Sequence, residues 1–219
     1  MSTLFAMRVA AAVTFATTCA LLLSPTLAAM AAAAPTTPLD SSASSKAAHL
    51  SDILPSGHLD YRVRVDVKYP SAATPITDGQ RLKPSATAEV PSVTLEGADA
   101  ESFYTLVEVD PDAPDPSNPV HRSYLHWMVV DIPGNKAAAS SGHVLVPYHK
   151  SIPPHGAHRY MFLVYEQPQH SSETDIRRET PPERTDFNLS DWAMLVGLQH
   201  PVGFSWFVAS KEYENTSDL

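Results

Sequence analysis

The stretch that decides the fold is Phe103–Gly134, which reads FYTLVEVDPDAPDPSNPVHRSYLHWMVVDIPG. It contains two apolar segments of strand length, Phe103–Val109 and Tyr124–Ile132, both rich in β-branched and aromatic residues. The loop between them carries four prolines, and proline fixes the backbone angle φ and removes a hydrogen-bond donor. We therefore predict two buried strands joined by a rigid polar corner, a structure that usually serves a ligand.

Acidic and imidazole side chains are concentrated at this corner. Asp110 and Asp112 follow the first predicted strand, and His126 lies near the start of the second. Each has a structural alternative, because Asp-Pro sequences form turns and a histidine in an apolar segment is often a hydrogen-bonded core residue. A turn nevertheless needs only one side-chain acceptor, whereas Asp110 and Asp112 supply two. We predict a ligand site here, held shut by an ion pair between Arg159 and Asp131.

The rest of the chain is predicted to be mainly β. Tyr61–Tyr69 alternates apolar and polar residues, as an antiparallel strand with one solvated face does. Further strands are predicted at residues 92–95, 143–148, 158–167 and 203–209. Ser190–Leu198 is predicted to be a helix that Asn188 or Ser190 caps, and His170–Asp186 an exposed loop. Short connections without a βαβ rhythm favour a mainly antiparallel sheet structure with small peripheral helices.

The N-terminal sequence predicts secretion. Residues 1–31 contain Arg8, the apolar segment Val9–Leu23 and then small residues, as in a secretory signal peptide. A retained anchor is the alternative, but a membrane span needs about 20 apolar residues. Residues 32–51, rich in Ala, Pro, Ser and Thr, are predicted to be a disordered linker, and residues 52–219 one domain. The single cysteine, Cys19, lies in the predicted leader, so the secreted domain would have no disulfide.

The charge balance restricts the classes of partner. The formal net charge is −9, and removing residues 1–31, whose only charged side chain is Arg8, makes it one unit more negative. An acidic domain without a basic stripe argues against nucleic acid and against adsorption to anionic membranes. We expect a monomer with at most peripheral membrane contact.

Four motifs together resemble the phosphatidylethanolamine-binding protein family, which includes the Raf kinase inhibitor protein, carboxypeptidase Y inhibitor and the plant flowering signals. The motifs are DPDAP (110–114), HWMVVDIPG (126–134), PPHGAHRY (153–160) and YEQ (165–167). The resemblance implies a large antiparallel β-sheet packed against a smaller sheet, with few peripheral α-helices. It also implies a small anion pocket near a proline-rich loop that can contain cis peptide bonds. The residues that match the family's pocket are Asp110, Asp112, His126, His158 and Tyr160.

The resemblance and the predicted leader together imply a secreted, non-catalytic binding protein without a cofactor or metal ion. Its pocket would take a phosphate or phosphoethanolamine-type headgroup, and its protein partner would be a kinase or a protease. The residue types agree with this ligand. Imidazolium and tyrosine hydroxyl groups donate to phosphate oxygens, a nearby carboxylate raises the histidine pKa, and the same carboxylates accept from an ammonium group.

Two departures from the family pattern and two alternative functions stay open. Ile152 stands where many members have glycine, and the tail after Ala209 is short, so we expect a more open pocket that Tyr213 could close. One alternative is a protease inhibitor that acts through a loop or the tail. The other is a metal-dependent hydrolase, because two aspartates and two histidines suit zinc or manganese, although no HExxH-like spacing is present. Its ligands would be Asp110, Asp112, His126 and His158.

Overall fold

A computed structural model of the chain describes residues 49–54, 58–167 and 176–212. The predicted signal peptide, nearly all of the predicted linker and Tyr213 lie outside these residues. Leu50, which belongs to the predicted linker, is fully buried in the hydrophobic core. The packed domain therefore includes residues before Asp52. Within the described residues, no helix has both the length and the apolar character that a membrane span requires.

The described residues form eight strands and, apart from the helical residues 49 and 50, one α-helix. The strands are β1 (Arg64–Lys68), β2 (Gln80–Leu82), β3 (Ser92–Glu96), β4 (Phe103–Asp110), β5 (Tyr124–Pro133), β6 (His143–Val146), β7 (Ala157–Gln167) and β8 (Pro201–Ser210). The helix α1 is Leu189–Leu195, and 3-10 turns occur at Pro84–Thr87, Ala139–Ser141 and Ile176–Glu179. The side chain of Asn188 accepts from the backbone N–H of Asp191, so Asn188 is the N-cap. All the predicted strands are present, and β2 is an addition.

The strands form a six-stranded sheet in the order β2-β8-β7-β4-β5-β6 and a two-stranded sheet of β1 and β3. Neighbouring strands are antiparallel except β2 and β8, which are parallel. The mainly β fold with a large and a small sheet is thus confirmed. The stretch Phe103–Gly134 supplies β4 and β5, which lie inside the large sheet.

The large sheet buries both of its faces. Tyr104 and Leu106 of β4 pack with residues of the small sheet, whereas Val107 and Val109 pack with α1 and with Ile176. This alternation is the period of two that a strand imposes. We call the two sides the small-sheet face and the helix face. Of the predicted exposed loop His170–Asp186, residues 170–175 lie outside the described residues, Ile176 is buried in the core on the helix face, and residues 178–186 are exposed or half-buried.

The predicted ion pair between Arg159 and Asp131 is wrong. The backbone N–H of Asp131 donates to Gln167 Oε1 at 2.8 Å, and Gln167 Nε2 donates to Asp131 Oδ1 at 3.0 Å. Arg159 instead lies at the start of β7, eight residues before Gln167. Because β5 and β7 run in the same direction on either side of β4, Asp131 and Arg159 lie near opposite ends of the sheet.

Candidate functional site

Strand direction brings the predicted site residues to one end of the large sheet. Because β4 is antiparallel to both β5 and β7, its C-terminal end lies beside the N-terminal ends of those two strands. Asp110 is paired with Tyr124 on β5, and Val109 is paired with Met161 on β7. The motifs at 110–114, 126–134 and 153–160 therefore meet at the polar corner that the sequence predicts.

A β-bulge sets the direction of His126. Glu108 is paired with Trp127 and Val109 with Leu125, so His126 is the extra residue between the two pairs. Leu125 packs on the helix face and Trp127 on the small-sheet face. A bulge breaks the alternation locally and re-aims a side chain, which is why bulges are common beside functional sites. Here it lets His126 line the same cavity as Asp110.

A cavity of about 240 Å³ lies at this corner. Its wall is largely aromatic: the His126 ring centroid lies 4.9 Å from that of Tyr124, 5.1 Å from that of Tyr160 and 5.6 Å from that of His149. Exposed residues around the opening include Lys150. The residues that line the cavity are Asp110, Ala113, Pro114, His121, Tyr124, His126, His149, Lys150, Ile152, Pro154, Tyr160 and Thr185.

Three of the five predicted pocket residues line this cavity, and two lie behind it. Asp110, His126 and Tyr160 are on its surface, whereas Asp112 and His158 are not among its lining residues. The Ala113–Pro114 peptide bond in the adjoining loop is cis. The geometry thus separates residues that could contact a ligand from residues that support them.

His158 supports Asp110 through a buried ion pair. His158 Nδ1 lies 2.7 Å from Asp110 Oδ2, and its Nε2 lies 2.8 Å from the carbonyl oxygen of His155. Both partners are acceptors, so both ring nitrogens carry a proton and the imidazole is charged. Burial lowers the pKa of His158, but the hydrogen bond and charge of Asp110 outweigh burial and raise it overall. Burial raises the pKa of Asp110, and His158 opposes that change.

Asp112 is turned toward Arg159 instead of the cavity. Its carboxylate accepts from the Arg159 backbone N–H at 2.9 Å, from Nε at 2.8 Å and from Nη2 at 2.6 Å. Arg159 Nη2 also donates to Asp52 Oδ2 at 2.7 Å. Burial raises the pKa of Asp112, but its hydrogen bonds with Arg159 lower it below the usual value overall. Asp112 therefore ties the loop after β4 to the start of β7.

His126 is a neutral histidine of the site. Its Nδ1 lies 2.7 Å from the carbonyl oxygen of His149, so Nδ1 carries the proton and Nε2 keeps a lone pair. Burial lowers the pKa of His126 to about 3, although the bond to His149 opposes the shift. The expected effect of a carboxylate on the pKa of a histidine is found at His158, because the side chain of Asp110 is hydrogen-bonded to His158.

Arg184 is a supporting residue that sequence reasoning missed. Its guanidinium donates to the carbonyl oxygens of Leu125 at 3.0 Å, His126 at 2.9 Å and Pro147 at 2.7 Å. It therefore joins β5 to the loop after β6 at the rim of the cavity. No pattern in the sequence could identify it, since its partners are backbone carbonyl groups far away along the chain.

The four residues predicted to be metal ligands in a metal-dependent hydrolase do not form a metal site in the described residues. Across residues 49–54, 58–167 and 176–212, no three His, Cys, Asp or Glu side chains are grouped so that they could share a metal ion. Of the four residues considered, Asp110 is bonded to His158 and Asp112 is bonded to Arg159. Nδ1 of His126 is likewise bonded to a backbone carbonyl group.

The comparisons with known proteins agree with the fold and the motifs. The sequence profile described as phosphatidylethanolamine-binding protein matches residues 72–200. "Protein BROTHER of FT and TFL 1" of Arabidopsis thaliana is 40% identical over 139 residues, which cover 64% of this chain and 76% of that protein.

Two solved structures share the fold. The phosphatidylethanolamine-binding protein from Plasmodium vivax has a TM-score of 0.64 at 20% identity, covering 78% of this chain and 97% of that one. Carboxypeptidase Y inhibitor, in complex with its cognate proteinase, has a TM-score of 0.63 at 22% identity, covering 78% and 94%. At these identities the two structures show the fold alone.

Proposed function

Because the chain belongs to the phosphatidylethanolamine-binding protein family, we propose that it is a non-catalytic binding protein for phosphate or phosphoethanolamine-type headgroups. The observation that carries the proposal is the small cavity that Asp110, His126 and Tyr160 share at one end of the large sheet. The cavity suits a headgroup in size, since binding sites for whole drug-sized molecules are about 300–1,000 Å³.

The charges around the cavity suit a zwitterionic ligand. The positive charge of His158 balances the negative charge of Asp110, so the pair does not repel an anion in the cavity. Burial, followed by the charge of Asp110, raises the pKa of Tyr160, so its hydroxyl group keeps its proton and can donate to a phosphate oxygen. Lys150 at the opening adds a positive charge. Asp110 lines the cavity, and its Oδ1, which accepts one hydrogen bond from the backbone N–H of Asp112, has a second lone pair that can accept from an ammonium group.

The first test is calorimetric titration of the chain with phosphorylethanolamine. We expect saturable binding by the wild type and at least about tenfold weaker binding by Asp110→Asn, His126→Ala and Tyr160→Phe, because each removes a polar partner of the ligand. His143→Ala is the matched control, since His143 is exposed on β6 and does not line the cavity. Absence of binding by folded wild-type protein at millimolar ligand would refute the proposal.

The binding should weaken as the pH rises. Nε2 of neutral His126 carries no proton, so one proton must lie between this nitrogen and a phosphate oxygen when the ligand is bound. Because the pKa of His126 in the free protein is about 3, this proton is taken up or brought by the ligand above pH 6. We expect the affinity to fall by up to about tenfold per pH unit between pH 6 and pH 8.

Calorimetry in buffers of different ionisation enthalpy measures this proton directly. The phosphate group itself titrates near pH 6, so the proton count of the His126→Gln variant supplies the ligand's own contribution. Proton uptake that exceeds that of the variant supports the assignment to His126. Equal uptake by the two proteins would contradict it.

Secretion and a protein partner complete the proposal. Residues 1–31 have the composition of a signal peptide, and N-terminal sequencing of protein from the culture medium would show whether they are removed. Retention of the full chain inside the cell would contradict secretion. A kinase or protease partner that docks at the cavity opening should be displaced by phosphorylethanolamine, and binding unaffected by it would contradict that docking site.

A further inference from the structure

Glu108 is a buried acid that the proposed binding site does not use. Its side chain is 0% exposed, and neither carboxyl oxygen has a hydrogen-bond partner in the part of the chain that the structure describes. Burial of an ionised carboxylate without a partner is strongly unfavourable, and buried polar groups in proteins are almost always hydrogen-bonded. Such an exception often has a functional reason.

Glu108 lies one row of residues below the cavity. It precedes Asp110 by two positions on β4, so both side chains point to the small-sheet face. Across the sheet it is paired with Trp127 on β5 and Phe162 on β7. The next row toward the end of the sheet contains Asp110 and Tyr160, about 7 Å further along the strand.

The groups around Glu108 keep it protonated. Burial, and then the negative charge of Asp110, raise the pKa of Glu108 well above its ordinary value. The other titratable groups within its electrostatic range are the hydroxyl groups of Tyr69, Tyr148 and Tyr160, and the charge of Glu108 acts on the pKa of each. None of these neighbours is a cation. Glu108 is therefore a neutral carboxylic acid near pH 7.

We propose that Glu108 is a positioning residue that holds a proton beneath the cavity and thereby determines which sign of charge the cavity accepts. This inference rests on the proposed headgroup function. With the proton in place, the layer behind the cavity is neutral, because Asp110 and His158 balance each other. Without the proton, one uncompensated negative charge lies in the row below the ligand. At that separation it would weaken anion binding roughly 30-fold.

The test compares wild type with Glu108→Gln, which keeps the shape of the side chain and cannot ionise. Inorganic sulfate is the first probe, because its charge is constant from pH 5 to pH 9.5, and phosphorylethanolamine is the second. For each probe, we divide the dissociation constant of the wild type by that of Glu108→Gln at the same pH. The titration of His126 and of the ligand affects both proteins equally and therefore cancels in this ratio. We expect a ratio near one at pH 5 that rises at least about tenfold as Glu108 ionises. Glu108→Met should behave like Glu108→Gln.

The outcomes separate this inference from the proposed function. If both proteins bind and the ratio is constant with pH, the inference is overturned and the headgroup site stands. If neither protein binds either probe at any pH, the headgroup site and the inference both fail.

Infrared spectroscopy adds a direct readout of the proton. The wild type should show the carbonyl stretching band of a protonated carboxylic acid at pH 7, which Glu108→Gln lacks and which shifts when the anion binds. Absence of the band would overturn the inference, and so would a band that the anion does not shift.

Discussion

Replacing Asp112 with alanine should lower the free energy of unfolding by about 3 kcal/mol at pH 7. Asp112 is buried and accepts three hydrogen bonds from Arg159. Removal of one partner of a buried pair leaves the other charge uncompensated, which typically costs about 3–5 kcal/mol. The lower end applies because Arg159 keeps its contact with Asp52. Urea denaturation followed by circular dichroism measures the change.

The pH dependence of this effect has a definite sign. The pKa of Asp112 is lowered in the folded protein, so its contribution to stability is present above the unfolded value near 3.8 and is lost as the pH falls through the lower folded value. The difference between wild type and Asp112→Asn should therefore be constant near neutral pH and should narrow in acid below pH 4.

The control for Asp112 is an exposed ion pair of the same kind. Asp60 lies 2.7 Å from Arg62 Nε, and both side chains are about half exposed. Asp60→Ala should change the stability by less than about 1 kcal/mol. The folded Asp112→Asn protein should still bind phosphorylethanolamine, because Asp112 does not line the cavity. Unchanged stability together with lost binding would instead make Asp112 a ligand residue.

The strands could be predicted from sequence because their determinants are local, whereas the division into a large and a small sheet came from the resemblance to a known family. Alternation in Tyr61–Tyr69 and the two apolar segments of Phe103–Gly134 identify strands through their period and composition. Strand β2, only three residues long and largely exposed, has no such signal, because it is held by backbone pairing with β8. The corner between β4 and β5 followed from the two apolar segments and the proline-rich loop that joins them, whereas the placement of β7 there came from the resemblance to a known family.

The roles within the site could not be predicted, because they depend on side-chain direction and on which partner each group finds. Asp110 and Asp112 are two residues apart, yet one lines the cavity and the other holds Arg159. His126 and His158 both stand near the start of a strand, yet one is neutral and the other charged. Burial of His126 and the hydrogen bond between His158 and Asp110 decide this difference, and neither is visible in the sequence.

Glu108 did have a signal in the sequence. It is a charged residue inside an apolar segment, and the period of two places it on the same face as Leu106 and Asp110. An acid on the buried face of a strand departs from the pattern of apolar residues that the buried face normally shows. Such a departure reduces stability, so replacing the acid should have a large and measurable effect.

Glu108→Leu should raise the free energy of unfolding by about 3 kcal/mol at pH 7. In the unfolded chain Glu108 ionises with a pKa near 4.5, whereas burial raises the pKa in the folded protein well above that value. Folding at pH 7 must therefore return a proton to Glu108, at a cost of about 1.4 kcal/mol for each pH unit above 4.5. Leucine requires no proton, leaves no unpaired oxygen and suits the apolar neighbours Trp127 and Phe162.

The pH dependence distinguishes this explanation from better packing. Because the folded pKa is the higher one, the wild type benefits most below pH 4.5 and loses stability as the pH rises toward the folded value. The advantage of Glu108→Leu should accordingly be about 1 kcal/mol near pH 5 and should widen by about 1.4 kcal/mol per pH unit to pH 7. Glu166→Leu is the matched control, since Glu166 lies on the same face but is bonded to Ser102 and Arg62, and its loss should not stabilise the fold. An advantage of Glu108→Leu that stays constant from pH 5 to pH 7 would mean that Glu108 is ionised in the folded protein, and it would remove the proton on which control of the cavity's charge depends.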